Sequence, residues 1–261
     1  MSFRAALMTV FVLGCLQSAC RADSSWNEKK GEHFIVYFQT DGAFAESALA
    51  SADHIYEEEV RYFGSMPQDF WLWDNRCKIY LYDSQESYLV ATHQPDWSNG
   101  YADVHERAIV SYEGAADFLE MVLPHEMAHL IFREFVEAGN TKVPRWLDEG
   151  FAISQEKKTR SYLDQAIKRA VSSDKAIEIG ELNRFSALHM TPADQAKLFY
   201  AEAQSLTHFL LEGRDGSHFL NFCRSLRDGA DMEEALRKGY PGEFSTVVTF
   251  EKKWKKFVMA S

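Results

Sequence analysis

Apolar positions change their period part-way along the chain. Residues 33–39 read His-Phe-Ile-Val-Tyr-Phe-Gln, rich in aromatic and β-branched side chains, and predict a strand. Phe44, Ala48, Ala52, Ile55, Tyr56, Val60 and Phe63 then recur at helical spacing, with Gly64 as the stop. Residues 77–82 predict a second strand, and Ser84 is a suitable N-cap for a short helix through about Ala91. Residues 93–105 are polar and turn-rich, with Pro95, Asn99 and Gly100. Residues 107–112 predict a third strand. The first half therefore reads βαβαβ, a mixed sheet with covering helices.

From about residue 115 the pattern is helical through 136. Pro124 interrupts it, which predicts either a kink or a fresh helix start there. Helical spacing returns over residues 145–157, 160–171, about 195–213, 216–227, 231–238 and 244–258, with Gly139-Asn140 and Pro144 marking a loop before the first of these. The expected class is α+β. An N-terminal α/β subdomain over residues 23–114 would precede a mainly helical subdomain over 115–261. No repeat or low-complexity segment is present.

Composition adds little to that picture, and charge adds an exclusion. With 261 residues, 46% hydrophobic and 26% charged, the chain can bury a sizeable core. A formal charge of −11 argues against nucleic acid as a partner, since phosphate contacts need clustered Lys and Arg. The one dense basic run, Lys252-Lys253-Trp254-Lys255-Lys256, reads as the solvated face of a last amphipathic helix.

The N-terminus has the layout of an export signal over residues 1–22. Arg4 supplies the positive start, Ala5 to Leu16 an apolar stretch, and Ser18 to Ala22 small residues at the cleavage region. Two processing routes stay open. One is cleavage after Ala22. The other is a lipobox ending at Cys20, which would become a lipid anchor. Either predicts an exported protein of the periplasm, cell envelope or extracellular space. No later segment is apolar for long enough to span a bilayer. Outside the export segment only Cys77 and Cys223 remain, to be read as a disulfide or as ordinary core thiols.

The candidate chemistry sits at the change of period. Residues 124–132 read Pro-His-Glu-Met-Ala-His-Leu-Ile-Phe. On a helix, His125 and His129 lie on one face a turn apart, as a tetrahedral zinc site needs. Glu126 is rotated by about 100° from His125. It can reach a water on the metal without occupying the metal. A two-histidine site needs a third ligand, and Glu149 lies 20 residues after His129 on the next expected helix. Asp148 beside it is a candidate for orienting a ligand histidine from outside the ligand set.

His125-Glu126-x-x-His129 followed by Glu149 resembles the gluzincins, the clan of thermolysin and aminopeptidase N. Trp146-Leu147-Asp148-Glu149-Gly150-Phe151-Ala152 looks closer to the aminopeptidase wording, which usually has Asn where this chain has Asp148. The layout is similar to that of small bacterial peptidase-MA-like proteins, over about residues 32–258. The resemblance implies a zincin-like fold, a bound Zn2+ and a peptide or protein substrate, with Glu126 as general base. It also implies a Tyr donor to the oxyanion on a later helix, for which Tyr200 in Phe199-Tyr200-Ala201-Glu202 is the match. It further implies an edge strand binding the substrate backbone, for which residues 108–112 are the candidate, the alternative for them being a plain interior strand. The other reading is a non-catalytic zinc-binding cell-envelope protein on a peptidase scaffold. Substrate specificity has no signature in the chain. Glu113 could hold a free amine, but Gly-x-Met-Glu-Asn is absent.

Overall fold

The computed structural model describes residues 26–63, 71–137, 140, 143–158, 161–185 and 192–260. The expected export segment, including Cys20, and the expected breakers Gly64 and Gly139 lie outside the described residues. The class is α+β, with one five-stranded sheet in the N-terminal part and ten α-helices among the described residues.

Five strands form the sheet: β1 (Asn27–Lys30), β2 (Phe34–Phe38), β3 (Cys77–Tyr82), β4 (Gly100–Asp103) and β5 (Ala108–Tyr112), in spatial order β1-β2-β3-β5-β4. The centre is parallel, with Val36 opposite Ile79 and Ile79 opposite Ile109. Both edges are antiparallel. Helix α1 (Gly42–Phe63) returns the chain from β2 towards β3, and α2 (Gln85–Thr92) follows β3. Parallel neighbours need such crossovers, because a tight turn can only reverse the chain.

Phe34, Val36, Phe38, Cys77, Ile79 and Leu81 alternate with half-buried neighbours, so one face of the sheet is apolar. Tyr56 of α1 meets Phe34 edge-on, at 6.0 Å between ring centroids, and stacks on Trp71 at 5.3 Å. Burial of each such side chain is worth about 1.5–3 kcal/mol. Tyr88 of α2 lies against Tyr82, Tyr101 and Tyr112 on the opposite face.

The sheet decides between the two readings of residues 108–112. Residues 108–112 are an interior strand, bonded to β3 on one side and β4 on the other, and all five residues are buried. The edge is β4, in the stretch that reads as turns. Only Tyr101 and Ala102 are apolar there, and the hairpin to β5 is closed by Asp103, whose Oδ1 accepts from the N–H groups of His105 and Glu106, both at 3.0 Å. The other edge, β1, is Asn-Glu-Lys-Lys. Its charges suit an exposed edge and hide it from any apolar pattern.

The chain divides into two compact units, Met1–Ile131 and Phe132–Ser261. The division falls inside helix α3 (Leu123–Val136). The second unit holds α4 (Arg145–Gln155), α5 (Ser161–Ser172), the single turn α6 (Ile179–Leu182), α7 (Ala193–Leu211), α8 (Gly216–Arg227), α9 (Met232–Gly239) and α10 (Val247–Ala260). Helix α4 packs on α7 through Gly150, where an added Cβ would collide with the Ala203 carbonyl and the Thr207 hydroxyl. Trp254 of α10 is fully buried and donates to Ser205 Oγ at 3.0 Å, whereas Lys252, Lys253 and Lys256 face solvent. Cys77 and Cys223 are both buried, and no disulfide joins them. No helix among the described residues is long and apolar enough to cross a membrane.

Candidate metal centre

Local chemistry at Pro124 sets the start of α3. Asp117 takes a left-handed conformation, φ 55°, and Phe118–Val122 wind as a π-helix. The Leu123 N–H bonds back to the Phe118 carbonyl. Pro124 has no N–H to give, so it belongs in a first turn, where that group has no helical partner. The α-helix begins at Leu123. Of the two outcomes open for Pro124, the chain takes the fresh start.

One turn of α3 carries the histidines. The Nε2 atoms of His125 and His129 are 3.2 Å apart, and the rings meet at 84°. Two nitrogens at ordinary zinc distances, separated by a tetrahedral angle, stand about 3.3 Å apart. Around the histidines, Leu123, Met127, Ala128 and Ile131 are fully buried, so the apolar run buries this helix on nearly all sides. His129 is 0% exposed, Glu126 2% and His125 6%.

Helix α4 starts directly after Pro144, and Trp146 through Ile153 are all buried. Phe151 stacks between Phe132 and Phe219, at 5.6 and 6.0 Å. Trp146 donates to Asn183 Oδ1 at 2.7 Å. These contacts fix the rotation of α4 and with it Glu149, which is 0% exposed. The candidate ligand atoms of His125, His129 and Glu149 all lie within 4.8 Å of one another. Two imidazole nitrogens and one carboxylate oxygen are the donor set of catalytic zinc sites that keep a position open. Two neutral imidazoles and a carboxylate each present a lone pair that a cation can accept. The residues therefore fit a zinc ion.

Residues 73–260, well over half of the chain, match the family described as the peptidase MA superfamily. The chain belongs to the peptidase MA superfamily. Among curated proteins, none matches it. In this superfamily member the match takes in β3, the HExxH helix and all of the helical unit, and β1, β2 and α1 lie ahead of it. Membership supports a peptidase-like hydrolase scaffold, and with the buried His-His-Glu group it supports a metal ion, zinc being typical.

Two guanidinium groups that the sequence reading missed accompany the site. Arg145 Nε donates to Glu149 Oε1 at 3.3 Å from one turn earlier on α4. Arg133 donates to Asp148 Oδ2 through both Nε and Nη2, each at 2.8 Å. The signal for the first was the i,i+4 spacing of Arg145 and Glu149. The second spans 15 residues and leaves no periodic trace. Asp148 is fully buried.

Tyr200 lies on α7 one turn ahead of Ala203, on the helix that Gly150 of α4 approaches closely. It is 2% exposed and meets Phe199 edge-on. A further tyrosine, Tyr88, was also missed. Its hydroxyl is 2.7 Å from Ser98 Oγ. Burial pushes its phenol far up, and the negative charge of Glu126 pushes the same way, so Tyr88 lies within electrostatic reach of the candidate base.

Proposed function

We propose that this peptidase MA member is an exported zinc-dependent metallopeptidase, with His125, His129 and Glu149 as metal ligands and Glu126 as general base. The buried grouping of two imidazoles and a carboxylate on consecutive helices carries the reading. Zinc, when bound, supplies Lewis acidity: it polarises the scissile carbonyl and lowers the pKa of water towards neutrality.

The chain's own residues would do the rest. Glu126 follows His125 directly, so its carboxylate projects to the side of the ligand row. It takes a proton from the attacking water and delivers it to the leaving amine. The Tyr200 hydroxyl donates a hydrogen bond to the developing oxyanion. Substrate backbone pairing, expected first of residues 108–112, falls to β4 as the strand on the open side of β5. Export rests on Arg4, the apolar run Ala5–Leu16 and the small residues 18–22, by cleavage after Ala22 or anchoring at Cys20.

Glu126→Gln tests the mechanism. The variant is expected to keep its zinc and to lose cleavage of a mixed peptide library by about 10²–10⁴-fold. Full activity of that variant refutes the base assignment. Tyr200→Phe is expected to lower kcat by about 10²–10³-fold with KM little changed; an unchanged kcat removes Tyr200 from the mechanism.

A further inference from the structure

We infer that the Arg133–Asp148 ion pair is a positioning clip for the metal ligands, setting the distance of α4 from α3 at the level of Glu149. The inference rests on the zinc reading above and adds two residues to it.

Its place in the chain is the first argument. Arg133 follows His129 by one helical turn, about 6 Å along α3. Asp148 immediately precedes Glu149. The clip thus joins the two helices next to the ligand that each contributes.

Its geometry is the second argument. Two N–H groups of one guanidinium converge on a single carboxylate oxygen at 2.8 Å each. Asp148 is fully buried and Arg133 is 16% exposed. A planar donor fork of this kind has directional demands that an apolar contact lacks.

The third argument is what the clip is not needed for. Phe132 already stacks on Phe151 between the same helices. A buried ion pair adds little net stability beyond such a contact, because desolvation offsets its attraction. Arg145 holds Glu149 from within α4 and so acts on the carboxylate's direction, not on helix spacing. The directional link between the two helices is that of Arg133 to Asp148.

The test is metal affinity of the full chain, read by competition against a chromophoric chelator, together with the visible absorption of the cobalt-substituted protein. Arg133→Met and Asp148→Asn are each expected to weaken zinc binding about 10–100-fold and to shift the cobalt bands. Arg133→Lys keeps the charge and is expected to fall between these and wild type. A clip that serves stability alone would lower the unfolding midpoint and leave both metal readouts at wild-type values; that result in any folded variant overturns the inference. Should Arg133→Met fail to fold, Asp148→Asn and Arg133→Lys decide by the same criterion. If wild type itself takes up no zinc, the functional reading fails first, and the clip falls with it.

Discussion

Helices α1 and α4 both bury carboxylates, and they do so in opposite ways. On α4, Asp148 and Glu149 are fully buried, and each has a guanidinium within 3.3 Å or less. On α1, Glu59 is 1% exposed and neither carboxylate oxygen has a hydrogen-bond partner. Burial drives its carboxyl well above the usual range, with the charge of Glu58 adding to the effect. The first arrangement gives each buried acid a cationic partner inside an apolar surround. The second has no cationic partner, and burial favours the neutral, protonated form. A buried acid is therefore a sign of function only when the fold also supplies its counter-charge.

Breaking the paired side should have the largest effect. Asp148→Ala removes the carboxylate to which Arg133 Nε and Nη2 donate. It is expected to cost about 3 kcal/mol, the low end for a buried pair because Arg133 keeps some solvent contact. Denaturant unfolding measures this; a loss below about 0.5 kcal/mol would place the pair among ordinary surface bridges.

Relieving the unpaired side should do the reverse. Glu59→Met is expected to stabilise the protein by about 1–2 kcal/mol at pH 8. The sign follows from linkage. Below the ordinary value of 4.5 both folded and unfolded chains hold the proton, and Glu59 carries no penalty. As pH rises above 4.5 the unfolded chain releases it first, so wild-type stability falls until the folded carboxyl titrates. The gain from Glu59→Met must therefore grow with pH. A gain independent of pH would show that the carboxyl is not the cause.

Glu202 on α7 sits between these extremes. It is buried and accepts from the Ile177 N–H at 2.7 Å, yet burial pushes its carboxyl up to about 8. Its folded value is again raised, so stability falls between about 4.5 and 8. Glu202→Gln keeps an acceptor for Ile177. It is expected to remove that part of the slope. Unfolding curves across that range decide, and an unchanged slope contradicts the assignment.

What was legible in the chain follows the range of the interactions. The grouping of His125, His129 and Glu149 could be read because helical periodicity places the histidines and a short loop returns Glu149. α1, β2, β3 and most helices of the second unit could be read from burial patterns that repeat locally. The edges could not. β1 is charged and β4 has two apolar residues, and both are strands only because a neighbour pairs with them. β5 reads the same whether it lies at an edge or inside, since position in a sheet is set by partners. Arg133 and Asp148 share no period, and only the folded chain brings them together.

Metal content of the purified, folded protein bears most directly on the central claim. Wild type prepared without chelator is expected to carry about one zinc per chain, and His129→Ala, with one ligand removed, to carry far less. A folded wild-type sample holding well under a tenth of an equivalent after incubation with zinc, or a His129→Ala sample that holds as much as wild type, contradicts it.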